Sequence, residues 1–168
     1  TIPSLWGILR KFFPNLIDLS PINTFSFGLI GLFVAFIIPY NTVVKEGKKD
    51  RSLIAGFTGM GTFMLCMNFV NTDQGSLVAM NKFGAGGMFT AMVVGVITAI
   101  IYKTMIRFSF FGEDSVIPDF VKNWFDNIIS IVLSLFVGFF VTYVFKIDLF
   151  TLVQLIMKPI TGFAQSLP

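Results

Sequence analysis

Four stretches of this chain run without a charged residue for long enough to cross a bilayer: 19–44, 52–72, 83–102 and 127–145. An α-helix rises about 1.5 Å per residue, so roughly twenty apolar residues span a hydrocarbon core about 30 Å thick. The hydrophobic centres predict membrane spans at about 25–44, 53–70, 88–106 and 128–145. The third passes Lys103, whose long stem can carry its charge to the interface. A charge at mid-helix costs roughly 2.5–3.5 kcal/mol on insertion, which fixes the limits of these spans. No ionisable group is expected to be buried within them.

Two of the spans carry small residues at every fourth position. Gly87, Ala91, Gly95 and Ala99 form one ladder; Ser130, Ser134, Gly138 and Thr142 form another. A four-residue spacing places each set along one stripe of its helix, where a neighbouring helix can approach closely. The ladders serve packing within the chain or, alternatively, a subunit interface. Shorter sets occur as Gly31, Ala35 and Pro39 in the first span and as Ala55 with Gly59 in the second.

The flanks predict amphipathic helices on the membrane surface. In residues 4–13, Leu5, Ile8, Leu9, Phe12 and Phe13 oppose Arg10 and Lys11, with Trp6 at headgroup level and Pro14 as the stop. Near the other end, Asp148 is placed to cap a helix that runs through Leu152, Ile156 and Met157 to Pro159. A third piece, residues 118–127, sets Phe120, Val121, Trp124 and Phe125 against Asp119, Lys122 and Asp126 just before the last span.

Composition agrees with the pattern. Of 168 residues 55% are hydrophobic and only 12% charged, about half the charged share of soluble domains. Phe supplies 22 residues, and a soluble helical module would leave large apolar faces in water. The net charge of +3 does not point to nucleic acid, because the basic residues sit in short clusters beside the spans. Loop 45–51 holds Lys45, Lys48, Lys49 and Arg51; with Lys103, Arg107 and Lys122 one side gathers seven of the twelve basic residues. That side, with loop 45–51, is assigned to the cytoplasm of a bacterial inner-membrane protein. The start Thr1-Ile2-Pro3 is no signal peptide, and the chain reads as an excised piece of a longer one.

Candidate chemistry is sparse. The chain has no histidine and one cysteine, Cys66, so neither a metal cluster nor a catalytic triad is expected, and no cofactor motif is present. Glu113-Asp114 reads as a solvated turn rather than an acid–base pair, and an intramembrane enzyme would need facing ionisable groups. Gly84, Gly86 and Gly87 read as a tight turn into the third span, or alternatively as a backbone cradle for an anion. Asn68, Asn71 and Gln74 have the chemistry to meet a sugar hydroxyl. No catalytic, substrate-binding or metal residue is named.

The stretch GAGGMFTAMVVGVITAIIY, residues 84–102, resembles a segment of the membrane component IIC of bacterial phosphotransferase sugar permeases, in the lactose/cellobiose (diacetylchitobiose) family. Three further pieces resemble that family in order: Lys49-Asp50-Arg51 with the glycine-bearing helix after it, Ser115 to Val121, and 149–167 with Lys158-Pro159-Ile160. Ile117 and Asp119 depart from its usual prolines and small residues. The resemblance implies a permease of about ten spans in two halves, this chain supplying about spans two to five. The first half is the scaffold and dimerisation half. The second, absent here, binds a disaccharide or β-glucoside through a Glu and a His, and the sugar is phosphorylated by the cytoplasmic IIB phosphocarrier. The expectation is therefore an all-α membrane protein with four transmembrane helices, part of a homodimeric permease. The alternative is a small self-contained oligomerising membrane protein, a pore former or assembly factor.

Overall fold

A computed structural model describes residues 20–73, 75–108, 111 and 117–166. The predicted surface helix at 4–13, Gln74 and the Glu113-Asp114 turn lie outside the described residues. Within them the fold is an all-α membrane fold. A short helix, α1 (Ser20–Phe25), and a 3-10 turn (Phe27–Leu29) lead into α2 (Ile30–Lys45); α3 (Lys49–Leu65), α4 (Met88–Met105), α5 (Asp119–Phe139) and α6 (Leu149–Ser166) follow.

Three stretches are long and apolar enough to cross a membrane: Phe27–Lys45, Ala85–Met105 and Val121–Val144. The second expected span is different. Its helix, α3, begins at Lys49 and stops at Leu65, five residues before the expected end at 70. Asn68 adopts a left-handed conformation with φ 52°, which Asn tolerates better than most residues and which ends helical winding. Val70–Thr72 (β1) then pairs antiparallel with Gly75–Leu77 (β2), with Val70 opposite Leu77. Hydrophobicity alone counted Val70 into the span; the turn moves it into a hairpin.

Helix α2 packs against both α3 and α4, α3 also packs against α5, and α6 lies along α4. Pro39, inside α2, has no N–H, so the carbonyl of Ala35 loses its helical partner. Gly59 of α3 sits at that point: a Cβ there would collide with the Ala35 carbonyl and approach the Pro39 ring at 2.7 Å. The core gathers Ala35, Phe63, Met67, Phe83, Ala91, Val94, Leu149 and Val153, with a smaller cluster of Val43, Ala55 and Tyr102 toward the loop 45–51 end.

Two boundaries near the C-terminus also differ from expectation. The amphipathic piece at 118–127 is no separate connector; it is the first part of α5, continuous with the last span. The axis then loosens into a π-helical turn, Phe140–Val144, and Lys146 with φ 53° ends it. The last helix does not stop at Pro159 but continues to Ser166, since a proline removes one hydrogen bond and bends a helix without having to end it. Its start follows expectation: Asp148 accepts from the Thr151 amide at 3.2 Å and the Thr151 hydroxyl at 2.8 Å.

Candidate functional site

The two ends of the bundle carry different chemistry. At the end that holds loop 45–51, the guanidinium of Arg51 donates from Nη2 to Asp126 Oδ2 at 2.5 Å and to Asn123 Oδ1 at 3.4 Å. The paired side chains are almost sealed, 9% and 1% exposed. The pair leaves untouched the expectation that no ionisable group is buried within the spans; what it changes is Asp126, expected on the polar face of the 118–127 piece and here sealed inside. Both charges lie just outside the uncharged windows, where sequence alone places them in water. Burying either alone would be costly; the pair and its hydrogen bonds offset that cost.

About two turns deeper along α3, Thr58 Oγ1 and Tyr102 Oη share a hydrogen bond of 2.9 Å, tying α3 to α4. On the outer rim Lys103 reaches Glu46 at 2.7 Å. That hydrogen bond and charge, helped by Arg107, hold the exposed Glu46 carboxyl below its ordinary pKa.

All eight ladder residues are buried. The first ladder is turned toward α2: a Cβ on Gly95 would lie 3.2 Å from Cβ of Ile38. Ala91 is fully buried in the main core. At its start Gly87 lies against the Lys82 carbonyl, so close that any side chain would collide with it. The second ladder is turned toward α3, with a Cβ on Gly138 only 3.0 Å from the Thr62 methyl and 3.5 Å from Cys66 Sγ. Ser134 donates to the Ser130 carbonyl at 2.8 Å and Ser130 to that of Asp126 at 3.3 Å, so both hydroxyls are satisfied inside the helix. The two ladders thus meet different helices. Asp126 lies four residues before Ser130; it is the missing first rung, and extending the ladder once would have placed it inside. On the opposite side of that turn Trp124 and Phe125 are exposed, so Asp126, read as part of a solvated face, points into the protein.

At the other end, the glycine segment forms the 3-10 turn Ala85–Gly87 into α4, as the tight-turn reading expects. Lys82 donates to the Met67 carbonyl at 2.9 Å, and its ammonium lies 5.6 Å from the centre of the Phe150 ring. It joins the segment after α3 to α6. Between this turn and α6 lies a cavity of about 320 Å³. Its walls include Gly86, Phe89, Val153, Gln154, Met157 and Lys158.

Among the described residues no group of three His, Cys, Asp or Glu side chains could hold a metal ion. Two buried polar contacts tie helices together, the Arg51–Asp126 ion pair and the Thr58–Tyr102 hydrogen bond. The family model for the phosphotransferase system, EIIC, matches residues 9–165. No curated protein and no solved structure matches the chain.

Proposed function

This chain belongs to the phosphotransferase system EIIC family, the membrane component of sugar permeases that works with EIIB and is not itself the catalytic domain, and from that membership we propose that it is the scaffold half of a permease of the lactose/cellobiose (diacetylchitobiose) type. In this reading the chain supplies about spans two to five, a second half supplies the sugar-binding residues, and the cargo is a disaccharide or β-glucoside. The permease is a homodimer with loop 45–51 in the cytoplasm.

The observation that carries the reading is the combination of a family match across nearly the whole chain with helix interfaces built from buried small residues. The two ladders act in packing within the chain: Gly87, Ala91, Gly95 and Ala99 meet α2 at Gly95 and the Lys82 carbonyl at Gly87, and Ser130, Ser134, Gly138 and Thr142 meet α3 at Gly138. In lipid such close contact, rather than hydrophobicity, holds helices together. A framework that must stay rigid while sugar moves beside it needs that kind of interface.

The test is reconstitution of the permease that contains this chain, with EIIB and its phosphoryl donors, in proteoliposomes. Cellobiose, lactose and diacetylchitobiose are offered beside glucose and mannitol. Phosphorylation of a β-linked disaccharide is the expected result. Phosphorylation of glucose or mannitol alone would remove the subfamily assignment.

A further inference from the structure

The cavity at the end opposite loop 45–51 borders the main core, and its walls mix apolar and polar side chains. Phe89, Val153 and Met157 supply apolar wall, and Gln154 and Lys158 supply polar wall. The Gln154 amide lies over Gly86, with Nε2 3.7 Å from where a Cβ would be. The absence of a side chain at Gly86 keeps backbone exposed to the space.

The helical wheel of α6 shows which way the cavity opens. Leu152, Leu155 and Ile156 are 46%, 62% and 61% exposed and form one outward apolar stripe. Leu149 and Val153 are buried against the bundle. At about 100° per residue, the Gln154–Lys158 stripe lies about 130° around the axis from the apolar one. A helix so divided rests in the interface with its leucines toward acyl chains and its polar stripe toward water. The cavity, bounded by the buried and polar stripes, therefore faces water rather than lipid. Nearby, Lys82 bonds the Met67 carbonyl and lies over the Phe150 ring, fastening α6 to the segment after α3.

We propose that this cavity, between the Gly84–Gly87 turn and α6, is a carbohydrate-binding vestibule that takes the unphosphorylated sugar before it reaches the transport site. Its volume falls in the range of small-molecule sites, about 300–1,000 Å³. A sugar has an apolar ring face that lies on Phe89 and Met157. It also has hydroxyls that both donate and accept, and the Gln154 amide matches them because it does the same. A sugar phosphate would call for clustered cations; the cavity wall offers a single lysine beside a neutral amide. The vestibule rests on the proposed permease reading, because it draws its ligand from it.

The test uses the 168-residue chain in nanodiscs, with cellobiose, lactose and cellobiose 6-phosphate as probes and saturation-transfer NMR as readout. Cellobiose or lactose should show contact with protein and the phosphate ester less. Gln154→Leu, at an exposed position that leaves the fold intact, should weaken binding about tenfold, and Gly86→Val should abolish it by filling the mouth. Equal binding by wild type and Gln154→Leu, or no binding by wild type, overturns the vestibule. The same variants in the proteoliposome assay separate the two readings. Phosphorylation with unchanged KM in Gln154→Leu removes the vestibule and leaves the permease. Binding to the chain without phosphorylation of any sugar removes the permease and, with it, the vestibule role, leaving a sugar-binding cavity alone.

Discussion

Arg51 at the start of α3 and Asp126 in α5, 75 positions apart in sequence, form a nearly sealed ion pair at 2.5 Å that joins two helices at one end of the bundle. Its geometry sets the first expectation.

Removing one partner strands the other charge, which costs about 3–5 kcal/mol for buried pairs. Asp126→Ala should therefore lower the denaturation midpoint sharply in detergent, and Arg51→Met should do much the same. The double variant Arg51→Met with Asp126→Leu should recover much of the loss, because no lone charge remains. Additive losses in the double variant would mean that the two side chains do not act as a pair.

Gly95 leaves no room for a larger side chain, since Ile38 stands where a Cβ would touch it. Gly95→Leu should cost about 1–3 kcal/mol by overpacking. Thermal melting should show the loss, while light scattering should show the oligomer unaltered. Loss of the oligomer without loss of melting temperature would instead put this ladder at a subunit contact.

The bond between Thr58 and Tyr102 crosses from α3 to α4. Tyr102→Phe deletes one hydroxyl and leaves the Thr58 hydroxyl its bond to the Ile54 carbonyl. The expected loss is modest, about 1 kcal/mol, measured by unfolding. An unchanged midpoint would mean that the ring alone, not its hydroxyl, holds this contact.

Asp148 caps the last helix. Partial burial pushes its pKa up, but the hydrogen bonds from Thr151 outweigh that and hold it below the ordinary value. The carboxylate therefore stabilises the fold at neutral pH, and that contribution fades as pH falls through and below the usual carboxylate range. Asp148→Ala should cost about 1 kcal/mol at pH 7 and less at pH 3, read from melting curves at the two values. An equal loss at both would show that charge and capping are not what the residue supplies.

Membrane orientation is open to labelling. Cys66 is 2% exposed and free, so it stays silent toward an impermeant maleimide. In intact cells Gln154→Cys should label from outside, and Lys48→Cys only after permeabilisation. The reverse pattern would invert the assignment made from the basic loop.

Much of the helical frame was legible in the uncharged windows, because lipid tolerates no charge at depth and so writes its limits into the sequence. Met88–Met105 differs from the expected 88–106 by one residue at one end. What could not be read was governed by single backbone conformations and distant partners. Asn68 ended α3 through a local turn that hydrophobicity does not register. Asp126 looked solvated because its partner, Arg51, lies on another helix. The cavity beside Gly86 needed residues nearly seventy positions apart, Gly86 and Gln154, to be brought together.

The pairing of Arg51 with Asp126 has an electrical consequence. A membrane voltage does work only on net charge that moves through it, about 2.3 kcal/mol per elementary charge for each 100 mV. Segments 27–44, 52–65, 85–102 and 127–144 contain no formal charge, and the sealed pair beyond them sums to zero. Depolarisation therefore finds no handle on these four segments. They form an insulating frame, indifferent to the field across it.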